Sequence, residues 1–282
     1  MGIFSRIFSH INSGINTRDY YKSMNKALHR LNEDYTMLHY PFHESDNDSF
    51  LDAQTNLTDF CMSLLPSVSK KQLLEVGCGN GVQAIYIHEK YEPGHIKAID
   101  LNHGNIEIAK KEAERKGIKE IQFHVDDAHY LATIENDSID FVLNIESAFH
   151  YPDKPTFLKE IHRVLKPGGT VLIADILTTN RRKNNLKDRW KKKMSYHHWP
   201  IESYEIELPL AQIHIESVSD ITSQVIRGFS NYRRWLREMK KKHFLEDLIM
   251  KVYYSIHVRI NMHLLKTRRQ YCVIVGSKPN LS

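Results

Sequence analysis

A short glycine-rich segment, Glu75–Gly81, constrains the fold of this chain more than any other feature. It follows the apolar pair Leu73-Leu74 and contains three alternating glycines. A second apolar run ends at Asp100, nineteen residues after Gly81. This order predicts a strand, a glycine turn, a helix and a strand that ends in an acid, which is how a doubly wound α/β sheet builds a nucleoside pocket. The spacing does not say which nucleoside the pocket takes.

The acid that precedes the glycines, Glu75, separates the possible ligands. A dinucleotide would place its pyrophosphate on the N-terminus of the following helix, and a carboxylate beside that position would repel it. A ligand with a cationic amino acid part and no phosphate would be attracted instead, and S-adenosylmethionine is such a ligand. The segment resembles motif I of the class I S-adenosylmethionine-dependent methyltransferases, and Asp100 resembles their ribose-binding acid.

From Lys71 onwards, apolar runs alternate with amphipathic segments, which favours a parallel sheet covered by helices on both faces. Strands are expected near Leu73–Val76, Ile96–Ile99, Ile121–Val125, Ile139–Ile145, Thr170–Ile176, Ile213–Val218 and Tyr271–Gly276. The resemblance implies a doubly wound, seven-stranded, mostly parallel sheet with an antiparallel edge. Residues 1–70 are expected to form an N-terminal helical cap, helical over most of 1–49 and across 52–65, with an irregular aromatic segment at 35–42. Residues 71–282 are expected to form the methyltransferase domain, with a basic helical insert at about 180–265.

Residues at the ends of the first four predicted strands are the ones that the resemblance assigns to S-adenosylmethionine. They are Glu75, Gly77, Gly79, Gly81, Asp100, Leu101, Asp127, Ala128 and Asn144. The glycines would approach the methionine part, Asp100 would accept from the ribose hydroxyls, and Leu101 would cover the adenine. Asp127 best matches the acid that accepts from the adenine amine, Asp126 is the alternative, and either could instead cap the next helix. Asn144 would lie beside the sulfonium.

Two residues that follow the fourth predicted strand, Glu146 and His150, are the candidates for catalysis. The resemblance puts this segment opposite the methyl group, so His150 could accept a proton from an acceptor hydroxyl. Histidine suits this role because its pKa lies near neutrality, and a neighbouring carboxylate such as Glu146 can raise that pKa. The alternative is a histidine that only orients the substrate or packs.

Several short matches outside the glycine-rich segment are similar to the phthiotriol and phenolphthiotriol dimycocerosate methyltransferases and to natural-product O-methyltransferases that act on sugars or macrolides. They are Asn144-Ile145-Glu146, Tyr151-Pro152, Arg163–Gly169, Asp220–Thr222, Val225–Gly228 and Arg269–Cys272. In the lipid group the histidine comes one place earlier, where this chain has Phe149. The resemblance implies methylation of a hydroxyl on a lipid or polyketide-like metabolite. The alternatives are methylation of nucleic acid or protein, C-methylation of an isoprenoid- or sterol-like substrate, and a non-catalytic cofactor site.

Charge and cysteine content limit the partners and the compartment. The net charge of +5 is uneven, with basic clusters at 181–193 and 233–242. Each cluster is either a solvated face or a contact for an anionic membrane, an anionic substrate or a nucleic acid backbone, of which nucleic acid is the least favoured. Three scattered cysteines argue against a disulfide framework and a metal site. We expect a cytoplasmic protein, peripheral at a membrane if the basic clusters bind lipid; the sequence leaves the oligomeric state open.

Overall fold

The computed structural model describes residues 17–32, 34–179, 196–238 and 244–280, and within them one seven-stranded sheet. In chain order the strands are β1 (Gln72–Val76), β2 (His95–Asp100), β3 (Ile121–Val125), β4 (Ile139–Ile145), β5 (Leu165–Thr178), β6 (His214–Asp220) and β7 (Arg269–Ser277). They lie side by side in the order β3-β2-β1-β4-β5-β7-β6. Strand β7 runs antiparallel to both neighbours, and the other pairs are parallel. The predicted doubly wound, mostly parallel sheet is confirmed.

Helices connect and cover these strands. They are α1 (Thr17–Asn32), α2 (Phe50–Ser63), α3 (Val82–Tyr91), α4 (His103–Arg115), α5 (Lys154–Val164), α6 (Ile201–Leu210), α7 (Thr222–Glu238) and α8 (Phe244–Thr267). Among the helices of the described ranges, none combines the length and the apolarity needed to cross a membrane. Helix α6 was not predicted individually.

The two faces of the sheet bury separate apolar clusters. In β1, Leu73 packs with α2, α3 and α4 on one face, and Leu74 packs with α5 and α6 on the other. This alternation follows from the two-residue period of a strand. Because both faces are covered, the central strands are almost continuously apolar.

The chain order of the sheet reverses at β1, which pairs with β2 on one side and β4 on the other. The connections after β1 and after β4 therefore leave in opposite directions, and a crevice opens between the carboxyl ends of these strands. Ligands bind at such switch points in open α/β sheets.

The irregular segment expected at 35–42 is confirmed, but it is longer than predicted. Helix α1 ends at Asn32, and residues 34–49 have no helical turn. Pro41 and the turn-forming run Ser45–Ser49 account for this, because proline lacks the backbone donor and short polar side chains compete with helical hydrogen bonds. Ser49 then begins α2 as its N-cap, in a capping box with Asp52.

Candidate functional site

A cavity of about 660 Å³ opens at the carboxyl ends of β1, β2 and β4. Eight of the predicted site residues line it: Gly77, Gly79, Asp100, Leu101, Asp127, Ala128, Glu146 and His150. Helix α1 contributes Thr17 and Tyr21 to the lining, and residues 37–39 and His197 also line it. We call the part with Gly77, Gly79, Asp100, Leu101 and Asp127 the glycine half. The part with Tyr21, Glu146, Ser147, His150 and Tyr151 is the histidine half.

The glycine turn has no room for a side chain at Gly77 or at Gly81. Gly77 has a φ of +79°, and a Cβ there would lie 2.4 Å from the Cβ of Ser147. Gly81 has the same φ, but its missing Cβ makes room for Ala109 of α4, at 2.5 Å. Gly77 therefore allows the turn to approach the loop after β4, whereas Gly81 allows α3 and α4 to pack. Gly81 does not line the cavity.

Asp100 ends β2 with its carboxylate held in place by backbone donors. The Gly79 N–H donates to Oδ2 at 2.9 Å, and the Asn102 N–H donates to Oδ1 at 2.7 Å. Burial raises the pKa of Asp100 to about 6, and these hydrogen bonds oppose the rise. The group is therefore mainly ionised at neutral pH, as an acceptor for a diol must be.

Glu75 lies beneath the turn and is only 2% exposed. Burial, with a smaller contribution from the charge of Asp100, raises the pKa of Glu75 to about 8. Its Oε2 has no hydrogen-bond partner within the described residues. Buried carboxyl oxygens rarely lack a partner, so this atom suits a bound donor that reaches it directly or through water. Glu75 itself does not line the cavity.

The two acids after β3 each cap the following turn. Asp127 Oδ1 accepts from the His129 N–H at 2.9 Å and contacts the His129 ring at 2.6 Å. Asp126 accepts from the N–H and hydroxyl of Thr133 at 2.8 and 2.7 Å. Both acids and Ala128 line the cavity, so the capping geometry and access to a ligand coexist. Leu101, on the same side, is 65% exposed.

Asn144 is fully buried and does not line the cavity. Its Nδ2 donates to Val76 O at 3.0 Å, to Ser147 Oγ at 2.7 Å and to the Tyr151 hydroxyl at 3.1 Å. Asn144 therefore joins the ends of β1 and β4 and positions two residues of the histidine half. Sequence reasoning missed Ser147 and Tyr151 as site residues, although both lie in the segment that it singled out.

The histidine half is assembled from distant parts of the chain. His150 Nε2 lies 2.9 Å from the hydroxyl of Tyr21, and its ring lies against Phe149 and Tyr196. Nothing in the sequence around Tyr21 signals this contact, because it depends on how α1 crosses the cavity.

Glu146 does not pair with His150 as expected. It has a φ of +51°, which is uncommon for a residue with a side chain. This conformation turns its carboxylate to the Tyr40 N–H, a short hydrogen bond, and towards the Tyr271 hydroxyl. No hydrogen bond or ion pair joins Glu146 to His150 in the described part of the chain. Burial raises the pKa of Glu146 to about 8, and the bond from Tyr40 opposes the rise.

Groups of three or more acids, histidines or cysteines that could hold a metal ion do not occur among the described residues. The polar groups that line the cavity are carboxylates, imidazoles, hydroxyls, amides and the backbone. A mainly apolar cavity with an acid at the end of β2 can bind a nucleoside. A histidine at the far end can exchange a proton with a second molecule.

Comparison with known proteins identifies the family and the fold. The profile of the methyltransferase domain family matches residues 67–243. The chain is 29% identical over 177 residues to the phthiotriol/phenolphthiotriol dimycocerosates methyltransferase of Mycobacterium leprae, covering 63% of this chain and 57% of that protein. The chain thus matches little more than half the length of this relative.

Two solved structures share the fold across almost the whole chain. The [4+2]-cyclase SpnF superposes with a TM-score of 0.76 at 20% identity, covering 95% of this chain and 98% of SpnF. A Haemonchus contortus phosphoethanolamine N-methyltransferase 2 superposes with a TM-score of 0.78 at 15% identity, covering 95% of this chain and 60% of that one. These likenesses establish the fold, and the profile match over well over half of the sequence establishes the family. The chain belongs to the methyltransferase domain family.

Proposed function

We propose that the protein transfers a methyl group from S-adenosylmethionine to a hydroxyl of a lipid or polyketide-like small molecule. The observation that carries the proposal is the geometry of Asp100, whose two carboxylate oxygens are fixed by backbone donors at the edge of the cavity. Family membership and the name of the mycobacterial relative support methyl transfer and a lipid acceptor.

The glycine half fits an adenosine donor without phosphate. Asp100 would accept from the ribose hydroxyls, exposed Leu101 would pack against the base, and Asp127 with Ala128 would border its edge. Gly77 and Gly79 would lie along the methionine part. The unpartnered Oε2 of buried Glu75 suits an ammonium that reaches it directly or through water, and the positive charge would favour the ionised carboxylate. S-adenosylmethionine, when bound, supplies a methyl group on a positively charged sulfur.

The histidine half would bind and activate the acceptor. We assign His150 the role of general base, with Nε2 taking the proton of the acceptor hydroxyl in place of its present contact with Tyr21. Glu146 would act indirectly, without touching the acceptor. Its carboxylate accepts from the Tyr40 N–H and so fixes the segment that covers the acceptor. Alignment of the acceptor hydroxyl would supply much of the rate.

The alternatives have less support. Nucleic acid binding would rely on the basic clusters, of which residues 181–193 lie outside the described ranges. Arg234 in the second cluster donates to the carbonyls of Asp46 and Asp48 at 2.9 and 2.8 Å. That arginine is therefore committed to a structural contact. C-methylation of an isoprenoid also needs a base for the proton lost from carbon, so the support for a hydroxyl acceptor comes from the triol in the name of the mycobacterial relative.

Three further proposals, on lipid contact, location and domain division, do not depend on the proposed methyl transfer. We propose a cytoplasmic protein whose exposed basic residues, such as Arg233, contact anionic lipid peripherally. Binding to vesicles that does not depend on their content of anionic lipid would contradict the proposed lipid contact. We also propose that residues 1–70 act as a cap on a domain at 71–282, supported by the contribution of α1 to the cavity.

The proposal is tested by incubating the protein with methyl-labelled S-adenosylmethionine and a lipid extract, then identifying the labelled product. A labelled methyl ether in the lipid fraction is the expected result. Label on carbon, in RNA or in protein would contradict the assignment. Because SpnF shares the fold and is named a cyclase, the assay should also follow unlabelled changes in the extract.

A further inference from the structure

Three buried asparagines connect helix α1 to the carboxylate of Asp100. Asn25 belongs to α1, Asn80 to the glycine turn, and Asn105 to the start of α4, and all three are almost fully buried. Asn80 Nδ2 donates to Asn25 Oδ1 at 2.8 Å, and Asn25 Nδ2 donates to Asn105 Oδ1 at 3.0 Å. Asn105 Nδ2 lies 3.4 Å from Asp100 Oδ1, the longest link of the three.

The hydrogen bonds between these amides all run in the same direction. Each amide donates to the next, from Asn80 to Asn25 to Asn105, and the last donor faces the carboxylate of Asp100. Asn80 is fixed at its own end, because its Nδ2 also donates to Thr36 O at 2.8 Å and its Oδ1 accepts from Val82 at 3.3 Å. A buried polar network of this kind is stable only when every member is satisfied, so a change at one amide reorients the others.

We propose that Asn25 is a positioning residue that couples the seating of α1 over the cavity to the orientation of Asp100. This inference rests on the proposed function, since the ribose of an adenosine cofactor is the group that engages Asp100. Linkage is reciprocal, so an α1 that steadies Asp100 for the cofactor is itself steadied when the cofactor binds.

Two substitutions separate this role from simple packing. Asn25→Leu fills the same space but removes both amide contacts. Asn25→Asp still accepts from Asn80, but its carboxylate would face the oxygen of Asn105. Asn105 would then turn its Nδ2 towards residue 25 and withdraw it from Asp100. A role in packing alone would lower the stability of both variants without lowering ligand affinity, whereas loss of the hydrogen-bonded chain of asparagines would lower ligand affinity.

The test combines calorimetry with amide hydrogen exchange, using S-adenosylhomocysteine as the probe. We expect Asn25→Leu and Asn25→Asp each to weaken binding about tenfold, the loss of one or two net hydrogen bonds. In the unaltered protein, the ligand should slow exchange across residues 17–32, and both variants should lose that protection. Asn32→Leu is the matched control, because Asn32 lies in the same helix and donates to Leu28 O. It should bind like the unaltered protein.

The outcomes distinguish the two proposals. If the unaltered protein binds S-adenosylhomocysteine and both Asn25 variants match it in affinity and in exchange, the coupling is wrong. Equal weakening by Asn32→Leu would also overturn it, since the cause would then be general damage to α1. If the unaltered protein does not bind at all, the proposed function fails, and the coupling fails with it. Should Asn25→Leu not fold, as judged by thermal unfolding, Asn25→Asp decides the question.

Discussion

In the glycine half of the cavity, Asp100 is held by a turn from the adjacent strand and by residues no more than five places further along the chain. In the histidine half, by contrast, His150 meets Tyr21 from 129 residues away, and Glu146 meets Tyr40 from 106 residues away. The first half depends on backbone geometry that the strand order imposes. The second depends on how the covering segments lie across the sheet.

This difference implies that the glycine half binds the cofactor and that the histidine half determines the acceptor. Methyltransferase domains that share a cofactor can keep the glycine half, while changes in the covering segments alter the acceptor. Binding residues carried on covering segments over a rigid scaffold are a general way to vary specificity. Apart from the link that we propose through Asn25, mutations in the two halves should therefore separate cofactor affinity from turnover.

The largest effect is expected from Gly77→Ala. The alanine would have to keep the left-handed backbone of Gly77, and its Cβ would collide with Ser147. We therefore expect destabilisation by about 3 kcal/mol or more and loss of cofactor binding. Gly117→Ala is the matched control, because Gly117 has a φ of +72° with nothing within 4 Å of the added atom. It should cost about 1 kcal/mol. Equal unfolding midpoints in urea for the two variants would remove the steric argument.

Next in size is His150→Ala, which tests the histidine half. If His150 is the general base, kcat should fall about 100- to 1000-fold, with the affinity for S-adenosylhomocysteine within about twofold of the original. Turnover is measured as label transferred to the acceptor fraction, and affinity by calorimetry. Unchanged kcat would show that the ring only orients or packs. A parallel loss of cofactor affinity would show that the two halves are not independent.

A smaller effect is expected from Asp100→Asn, which tests the glycine half. The substitution keeps the size of the side chain but removes the charge that accepts from a diol. Because hydrogen bonds to charged groups contribute about 1.5–3 kcal/mol, the affinity for S-adenosylhomocysteine should fall about 10- to 100-fold. The control is Asp46→Asn, at a fully exposed side chain outside the cavity. Affinity that is equal in both variants would exclude Asp100 as a ligand.

The smallest effect, counted per pH unit, is the dependence of stability on the protonation of Glu75. Burial, and then the charge of Asp100, raises the pKa of Glu75 from 4.5 to about 8. Between these values the folded protein holds a proton that the unfolded chain releases, so this contribution to stability is full below about pH 4.5 and is lost as the pH rises towards 8.

Glu75→Gln should therefore flatten the fall of unfolding free energy between pH 5 and pH 8 by about 1 kcal/mol per pH unit. Urea unfolding at several pH values measures it, with exposed Glu44→Gln as the control. Asp100 and Glu146 also have raised pKa values and would keep part of the slope. Identical slopes for all three proteins would mean that Glu75 is not protonated in the folded state.

The sheet and the placement of Asp100 in the glycine half were predictable from the sequence because their signals are local. Alternating apolar runs fix the strands, and the position of an acid after a strand fixes the end of the sheet at which it lies. The role of Gly81 was not separable from that of Gly77 by sequence, since both are glycines at the same turn. Only the neighbours of each missing Cβ, Ala109 and Ser147, distinguish them.

The histidine half was predictable only in part. His150 and Glu146 were identified by their position after β4, but the expected pairing between them did not take account of Tyr40. The backbone N–H of Tyr40, which lies before the sheet, binds the carboxylate of Glu146 instead, and no pattern in the sequence predicts this contact. Asn144 was likewise recognised as important, but its amide is directed at Val76, Ser147 and Tyr151 behind the cavity wall.

The central claim is that the glycine half takes an adenosine donor that carries no phosphate. Separate calorimetric titrations of the purified protein with S-adenosylhomocysteine and with NAD test it most directly. We predict saturable heat with the first ligand and none with the second. Saturable heat with NAD, and none with S-adenosylhomocysteine, would contradict the account.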